Sequence, residues 1–123
     1  MSSSQPQTAQ ELDLPGLLER IHNNRPAMAR LVAMLRDLLP GRVDALQVAL
    51  ASNDLPAAAR AAHALRGSLS SFTTGPALQL AGDIERACIA DDAGAARASV
   101  AALLPRLERV HAEVAEWLQR EAS

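Results

Sequence analysis

The chain has 123 residues, of which 49% are hydrophobic, 21% charged and 2% aromatic, so it can bury a core within one domain without a disulfide or metal staple. Its formal charge is −2 and its twelve basic residues, all arginines, are scattered, which argues against binding to nucleic acid or an anionic membrane surface, because either needs a basic patch. With no run of the about 20 apolar residues that cross a membrane, no signal-peptide pattern and the single cysteine Cys88, we expect a cytoplasmic protein.

The first ten residues are rich in Ser and Gln and have no apolar periodicity. We therefore expect residues 1–10 to be a disordered lead and residues 11–121 to form one helical domain. A short amphipathic helix comes first and is expected to end around His22–Asn24. Its apolar residues are Leu14, Leu17, Leu18 and Ile21.

A long second helix is predicted to start beside Pro26, since proline is well tolerated in the first turn of a helix. Pro40 and Gly41 interrupt its pattern, and we expect one kinked helix rather than two short ones. Its apolar positions on the two sides of Pro40 are Met28, Leu31, Val32, Leu35 and Leu38, then Val43, Leu46, Val48 and Leu50.

Three further helices each follow a pair of residues that can cap an N-terminus. These pairs are Asn53–Asp54, Thr73–Thr74 and Asp91–Asp92. The last helix carries an apolar stripe over about five turns and contains Pro105, which we expect to kink it or mark an irregular first segment. Because no segment alternates like a strand, the predicted fold is all-α: an up-and-down antiparallel four-helix bundle with a short extra N-terminal helix.

One segment of the third helix is not explained by scaffold alone. His63 lies about 100° from the apolar stripe that ends at Phe72, so its ring should reach solvent at the edge of the core. Gly67, one turn later, costs roughly 0.8–1 kcal/mol relative to alanine within a helix, and the missing side chain clears space for another molecule. Arg66 lies on the same turn and can pair with an added anion.

The run Ala62-His63-Ala64-Leu65-Arg66-Gly67-Ser68 resembles the A-H-x-L-K-G-S signature of histidine-containing phosphotransfer domains, with Arg66 in the place of the usual lysine. The similarity continues into Leu80-Ala81-Gly82-Asp83-Ile84-Glu85, which resembles the L-A-x-x-L-E of the next helix in that family. Thr73 departs from the glycine that is frequent there.

The resemblance implies that His63 accepts a phosphoryl group from the aspartyl phosphate of a receiver domain and passes it to another receiver. An imidazole of ordinary pKa, about 6.5, has one unprotonated nitrogen near neutral pH and is a nucleophile. The resemblance places Glu85 where a side chain contacts the histidine, so its carboxylate would accept the Nδ1 proton and leave Nε2 to attack, while Arg66 balances the phosphoryl charge. The chain would then be a carrier and no stand-alone enzyme, with no metal site or cofactor of its own and with Mg²⁺ supplied by the receiver.

The expected partners are response-regulator receiver domains and a hybrid sensor histidine kinase, and we expect a monomer. The residues expected to contact a receiver are Ala59, Arg60, Ala64 and Ser70, with Met28 and Leu31 as further candidates on the neighbouring helix. The alternative function is a helical binding module that sequesters a receiver or kinase without phosphotransfer. A kinase core is disfavoured because no ATP-binding segment fits, although the chain resembles domains that also occur inside larger kinases.

The remaining polar residues are given structural roles. His22 and His111 have no His, Cys or carboxylate at i+4 and so do not predict a metal site. Ser68, Ser70 and Ser71 have no basic partner at catalytic spacing, which disfavours hydrolase chemistry. Cys88 is expected to be a small buried apolar residue.

Overall fold

The computed structural model describes residues 10–123, and the disordered lead predicted for residues 1–10 lies, apart from Gln10, outside that range. Five α-helices follow one another: α1 Leu14–Arg20, α2 Arg25–Ala51, α3 Leu55–Leu69, α4 Pro76–Ile89 and α5 Ala93–Ala122. Residues 10–123 contain no strand and no helix that combines the length and the apolar character needed to cross a bilayer. The prediction of an all-α bundle of four long helices with a short first helix is confirmed.

The four long helices form a ring in which each packs against two others. Helix α3 packs between α2 and α4, and α5 packs between the same two helices on the other side, so α3 and α5 lie diagonally across the bundle. The core is built mainly from alanine and leucine side chains, as the composition predicts. Alanines at Ala58, Ala62 and Ala81 are fully buried and leave room for α3 and α4 to approach each other closely.

The turns that end α2 and α4 are built in the same way. Asn53 and Asp91 adopt left-handed backbone conformations, with φ of 56° and 61°, and this conformation ends each helix. Asn and Asp are suited to the position because they tolerate the left-handed region better than most residues. The next residue caps the following helix: Asp54 accepts a hydrogen bond from the backbone N–H of Ala57, and Asp92 accepts one from Ala95. Two of the three predicted capping pairs are therefore confirmed.

The third predicted capping pair, Thr73–Thr74, is wrong. Gly75 is the N-cap of α4 and contributes no side-chain hydrogen bond. Thr73 is buried, and its hydroxyl instead accepts a hydrogen bond of 2.9 Å from the backbone N–H of Gly75. The threonine folds the turn before α4 rather than capping the helix, as Ser and Thr hydroxyls do in such turns.

Both internal prolines lie within continuous helices. Pro40 is inside α2 and Pro105 is inside α5, so the expectation of one long second helix is confirmed. The apolar positions of α2 do not all lie in the core, since Val48 is 57% exposed and Leu38 is 37% exposed. Because 3.6 residues make a turn, the apolar positions of α2 divide between two faces, and only one of them points inward.

The short helix α1 ends at Arg20, two residues earlier than predicted, and His22 and Asn23 form a turn with φ of 58° each. The segment just before α1 is fixed to α5 by a cluster of charges. Glu11 is 3% exposed at its side chain and accepts hydrogen bonds from Arg106 and Arg109. Glu113 in turn accepts hydrogen bonds from the backbone N–H groups of Glu11 and Leu12. These contacts are long-range and had no local signal in the sequence.

Candidate functional site

His63 lies on the outer face of α3, next to the fully buried Ala62. Its side chain is 64% exposed, which confirms the prediction that the ring reaches solvent at the edge of the core. The face of α3 that turns inward consists of Leu55, Ala58, Ala62, Leu65 and Leu69. That face fixes the rotation of the helix, so the histidine is presented outward by packing rather than by a mobile loop.

Glu85 and Arg66 surround one nitrogen of the His63 ring. Glu85 is on α4 directly after the buried Ile84, and its side chain is 18% exposed. Its Oε2 atom lies 2.9 Å from Nδ1 of His63, and its Oε1 atom lies 3.1 Å from Nη2 of Arg66. Arg66 Nη2 also lies 3.2 Å from Nδ1 of His63. The three side chains predicted to work together are thus brought into mutual contact across α3 and α4.

The contact with Glu85 favours the tautomer in which Nδ1 of His63 carries the proton. A carboxylate oxygen at 2.9 Å from an unprotonated Nδ1 would bring two lone pairs together, whereas a protonated Nδ1 donates a hydrogen bond to it. Arg66 also donates a hydrogen bond to Glu85. The guanidinium of Arg66 and the Nδ1–H group of His63 are then both donors to the same carboxylate, and this brings them within 3.2 Å of each other. In that tautomer the lone pair is on Nε2, which has no hydrogen-bond partner among residues 10–123.

Gly67 is not required by the packing of the chain. A Cβ atom at this position would meet no atom within 4 Å, and the backbone φ of Gly67 is not positive. Neither space nor conformation therefore explains a glycine in the interior of α3, where it costs roughly 0.8–1 kcal/mol relative to alanine. The prediction that Gly67 provides clearance toward the outside is consistent with this open surface.

A groove between α2 and α3 is lined by residues that follow His63 on α3, although His63 itself does not line it. We call it the α2–α3 patch and define it by Leu31, Met34, Leu38, Ala64 and Gly67, all of which line it. Met34 is 53% exposed, and Ala64 and Gly67 follow His63 by one and four residues. Sequence reasoning missed Met34 and Leu38 as surface residues, although their spacing with Leu31 is itself an i, i+3, i+7 stripe and could have indicated a second apolar face of α2.

The residues expected to contact a receiver are only partly in this patch. Ala64 lines it, while Ala59 is half-buried and Arg60 and Ser70 are exposed on α3. The Ser70 hydroxyl donates a hydrogen bond to the carbonyl oxygen of Gly67. Met28 was named as a further candidate, and this is wrong, because its side chain is completely buried.

None of the remaining candidate residues forms a hydrogen bond with His63, Arg66 or Glu85 within residues 10–123. His22 and His111 are exposed, and within residues 10–123 no three His, Cys, Asp or Glu side chains are grouped as a metal site requires. Cys88 is 4% exposed, as predicted, and burial raises the pKa of its thiol because the charged thiolate is poorly solvated there. Ile89, at the end of α4 and one turn after Glu85, is 70% exposed and was not singled out from the sequence.

The four-helix bundle thus presents an exposed histidine in contact with a carboxylate. The sequence profile of the Hpt domain matches residues 30–120. The chain belongs to this family and is a histidine phosphotransfer protein of a phosphorelay, a carrier that interacts with receiver domains.

Two solved structures share the fold. Histidine-containing phosphotransfer protein B (HptB) from Pseudomonas aeruginosa PAO1 superposes with a TM-score of 0.78 at 21% sequence identity, covering 92% of this chain and 98% of that chain. The HPT domain from the Hpt sensor hybrid histidine kinase from Shewanella gives a TM-score of 0.76 at 24% identity, covering 89% of this chain and 95% of that chain. Comparison with the sequences of curated proteins gives no significant match.

Proposed function

We propose that His63 is the residue that carries the phosphoryl group, and that Nε2 is the atom to which it is bound. The observation that supports this most strongly is the hydrogen bond between Nδ1 of His63 and Glu85, on a ring that is 64% exposed. A carboxylate that holds one nitrogen of an imidazole fixes the tautomer and leaves the other nitrogen as the nucleophile.

In the transfer step, the Nε2 lone pair attacks the phosphorus atom of an aspartyl phosphate on the receiver domain. The N–P bond forms, the P–O bond to the aspartate breaks, and the aspartate leaves as a carboxylate. The imidazole ring gains positive charge, which the Glu85 carboxylate stabilises at 2.9 Å. Transfer to the second receiver runs through the same atoms in reverse.

Arg66 has the position to balance the charge that the phosphoryl group brings. Its guanidinium lies 3.2 Å from the ring of His63 and 3.1 Å from Glu85, with its side chain 40% exposed. A guanidinium forms charge-assisted, often bidentate, hydrogen bonds to phosphoryl oxygens. We propose that Arg66 keeps one donor on Glu85 and directs others to the phosphoryl group.

We propose that the metal required for transfer is held by the partner. Phosphoryl transfer depends on electrostatic stabilisation of the transferring group, and the contribution of this chain is the nucleophile, the orienting carboxylate and one arginine. The Mg²⁺ would therefore accompany the aspartates of the receiver domain, as the family resemblance implies, and this chain would serve as the substrate and product of the receiver.

The α2–α3 patch is the proposed docking surface for the receiver domain. It is apolar, it contains the exposed side chains of Met34 and Leu38, and it includes Ala64 and Gly67, which follow the histidine by one and four residues. Exposed apolar patches next to polar groups are typical of interaction sites. A receiver seated there would place its aspartyl phosphate above His63, with Gly67 as the point of closest approach.

We further propose that the phosphoryl donor is a receiver of a hybrid sensor kinase, that the chain acts as a monomer, and that the exchange takes place in the cytoplasm. The structure from Shewanella is a domain of such a kinase, and the monomer leaves the α2–α3 patch free for a receiver. Size-exclusion chromatography with light scattering tests the monomer, because a stable dimer through the patch would compete with docking.

The test of the function is a labelling assay with purified receiver domains. A phosphorylated receiver with Mg²⁺ should transfer its phosphoryl group to the protein and give a modification that is acid-labile and base-stable. His63→Gln should abolish labelling, and His111→Gln, which changes an exposed histidine on α5, should label like the wild type. Labelling of His63→Gln would refute the assignment, and tight receiver binding without any label would support the alternative, a binding module that sequesters its partner.

A further inference from the structure

Arg42 is a half-buried arginine on α2, two residues after Pro40, and it lies between two surface depressions. One is the groove of the α2–α3 patch, and the other lies beside it along α2 and α3. Only Leu38, Arg42 and Ala64 line both of them. Since Ala64 directly follows His63, the stem of Arg42 borders the surface that we assign to the receiver.

One nitrogen of the Arg42 guanidinium has no hydrogen-bond partner within residues 10–123. This nitrogen is Nε, and it is buried. Asp37 lines the same second depression, but its carboxylate accepts a hydrogen bond of 2.9 Å from Arg36, which lowers the pKa of Asp37. A buried donor without an acceptor costs free energy in the isolated protein, so folding alone gives no reason for an arginine at this position.

The other two half-buried arginines of the described chain are both paired. Arg66 binds Glu85, and Arg106 binds Glu11. Four further arginines have no ion pair in residues 10–123, but all four are exposed, so water solvates them: Arg20, Arg30, Arg60 and Arg97. Arg42 thus differs from every other arginine in being partly desolvated and also unpaired.

Gly41, beside Arg42, is a second residue that packing does not explain. A Cβ atom there would meet nothing within 4 Å, its φ is not positive, and it is exposed inside α2. The same three facts describe Gly67 on the other side of the groove. Neither of these two glycines inside helices is required by packing or by backbone conformation, and each lines a depression together with Ala64. Gly41 lines the same depression as Arg42, so the surface next to Arg42 is open.

We propose that the receiver's contact area extends onto Gly41 and that Arg42 pairs there with a carboxylate of the docked receiver domain, which makes Arg42 a specificity-determining residue. This inference rests on the proposed function, because it needs a receiver seated on the α2–α3 patch. The apolar patch supplies contact area that any receiver can use. Because Arg42 is only half-buried in the free protein, a docked receiver would cover more of its charge. Receivers with an acidic residue at that point would therefore bind more tightly than receivers without one, which would leave the covered charge unpaired.

The experiment measures the binding of receiver domains to the unphosphorylated protein by calorimetry, together with the rate of labelling from the same receivers after phosphorylation. The probe is the receiver that labels the wild type fastest in a panel of purified receivers. Arg42→Glu should weaken the binding of this receiver about tenfold or more. The difference in affinity from the wild type should be larger at low salt, where charges are less screened. Arg42→Met keeps the apolar stem without the charge, and it should weaken binding less while leaving the melting temperature unchanged or higher, because it removes an unpaired buried donor.

The matched control is Arg120→Glu, with the same change of charge on α5, the helix diagonal to α3. It should leave binding within about twofold of the wild type, since it loses only a surface ion pair with Glu116. Replacing receiver carboxylates one at a time by lysine should identify one that restores binding to Arg42→Glu.

The outcomes separate this inference from the function on which it rests. Wild-type labelling that is lost in His63→Gln, with unchanged binding in Arg42→Glu, would overturn the role of Arg42 and leave the phosphotransfer function intact. Strong destabilisation of Arg42→Met would also overturn it, because the arginine would then be structural. If no receiver in the panel binds or labels the wild type, both the function and the role of Arg42 are refuted.

Discussion

Replacing Gly67 by alanine should make the protein more stable and a poorer phosphoryl carrier. The added Cβ meets no atom within 4 Å, so no clash offsets the gain in helix propensity of roughly 0.8–1 kcal/mol. A chain of this length has an unfolding entropy of about 0.25 kcal/mol per kelvin, so the melting temperature should rise by about 3–4 °C. Differential scanning calorimetry measures this shift directly.

The loss of function in Gly67→Ala has a separate origin. If the receiver backbone passes close to Gly67, a methyl group overpacks the interface at a cost of about 1–3 kcal/mol. That cost corresponds to a roughly 5- to 150-fold decrease in transfer rate at limiting receiver concentration, because each 1.4 kcal/mol is a factor of ten. Single-turnover transfer from a phosphorylated receiver, followed by quenched gel assay, gives this rate.

Gly94→Ala on α5 is the matched control. Its Cβ would lie 3.8 Å from a carboxylate oxygen of Asp92, which is an ordinary contact, and α5 lies diagonally opposite α3. It should leave the transfer rate unchanged. Transfer at the wild-type rate in Gly67→Ala would refute the argument that the glycine is kept for a partner, and a lower melting temperature would refute the finding of open space beside it.

Three further predictions follow from the contacts described above. Glu85→Ala should slow phosphorylation of His63 by about tenfold to a hundredfold, which is the effect of removing partners that orient metal-bound histidines. Glu85→Gln keeps a hydrogen-bond acceptor and should have a rate nearer to that of the wild type. Equal rates for the two variants in a rapid-quench experiment would contradict this role of Glu85. Glu11→Gln should lower the free energy of unfolding by about 1–3 kcal/mol, because Arg106 and Arg109 lose a buried carboxylate. Glu19 is exposed, and Glu19→Gln should change the free energy of unfolding by less than about 0.5 kcal/mol. Equal values for both variants in a urea titration would refute the role of Glu11 in fixing the segment before α1 to α5. Cys88 should react with iodoacetamide much more slowly in the folded protein at pH 8 than in urea, since burial raises its pKa and disfavours the thiolate; equal rates would contradict its burial.

The parts of the fold that follow local rules could be predicted from the sequence. The apolar stripes of α3 and α5 and the caps Asp54 and Asp92 depend on helical periodicity and on short side chains next to helix ends, which are visible in the chain itself. The Thr73–Thr74 prediction failed because a threonine hydroxyl can serve a turn as readily as a cap, and only the packing of Thr73 decides between them.

In the candidate site, too, local spacing predicts some residues, and others depend on how the helices pack. His63, Arg66 and Gly67 lie on one helical turn, so spacing brings them together, while Glu85 was placed by resemblance and its contact with Nδ1 depends on how α3 packs against α4. Arg42 and Met34 could not be found in the same way. Whether an apolar or charged position of α2 faces the core or the groove depends on the rotation of that helix, and this is fixed by neighbours far away in sequence.

The central question about phosphotransfer by this protein is which atom of which histidine receives the phosphoryl group. Nuclear magnetic resonance of protein labelled with ¹⁵N at histidine, recorded before and after phosphorylation by a receiver, measures this directly. Before phosphorylation the proton of His63 should be on Nδ1, and afterwards a ¹⁵N–³¹P coupling should appear at Nε2 of His63 and nowhere else. A coupling at Nδ1 of His63, or at His22 or His111, would contradict the assignment and the role given to Glu85.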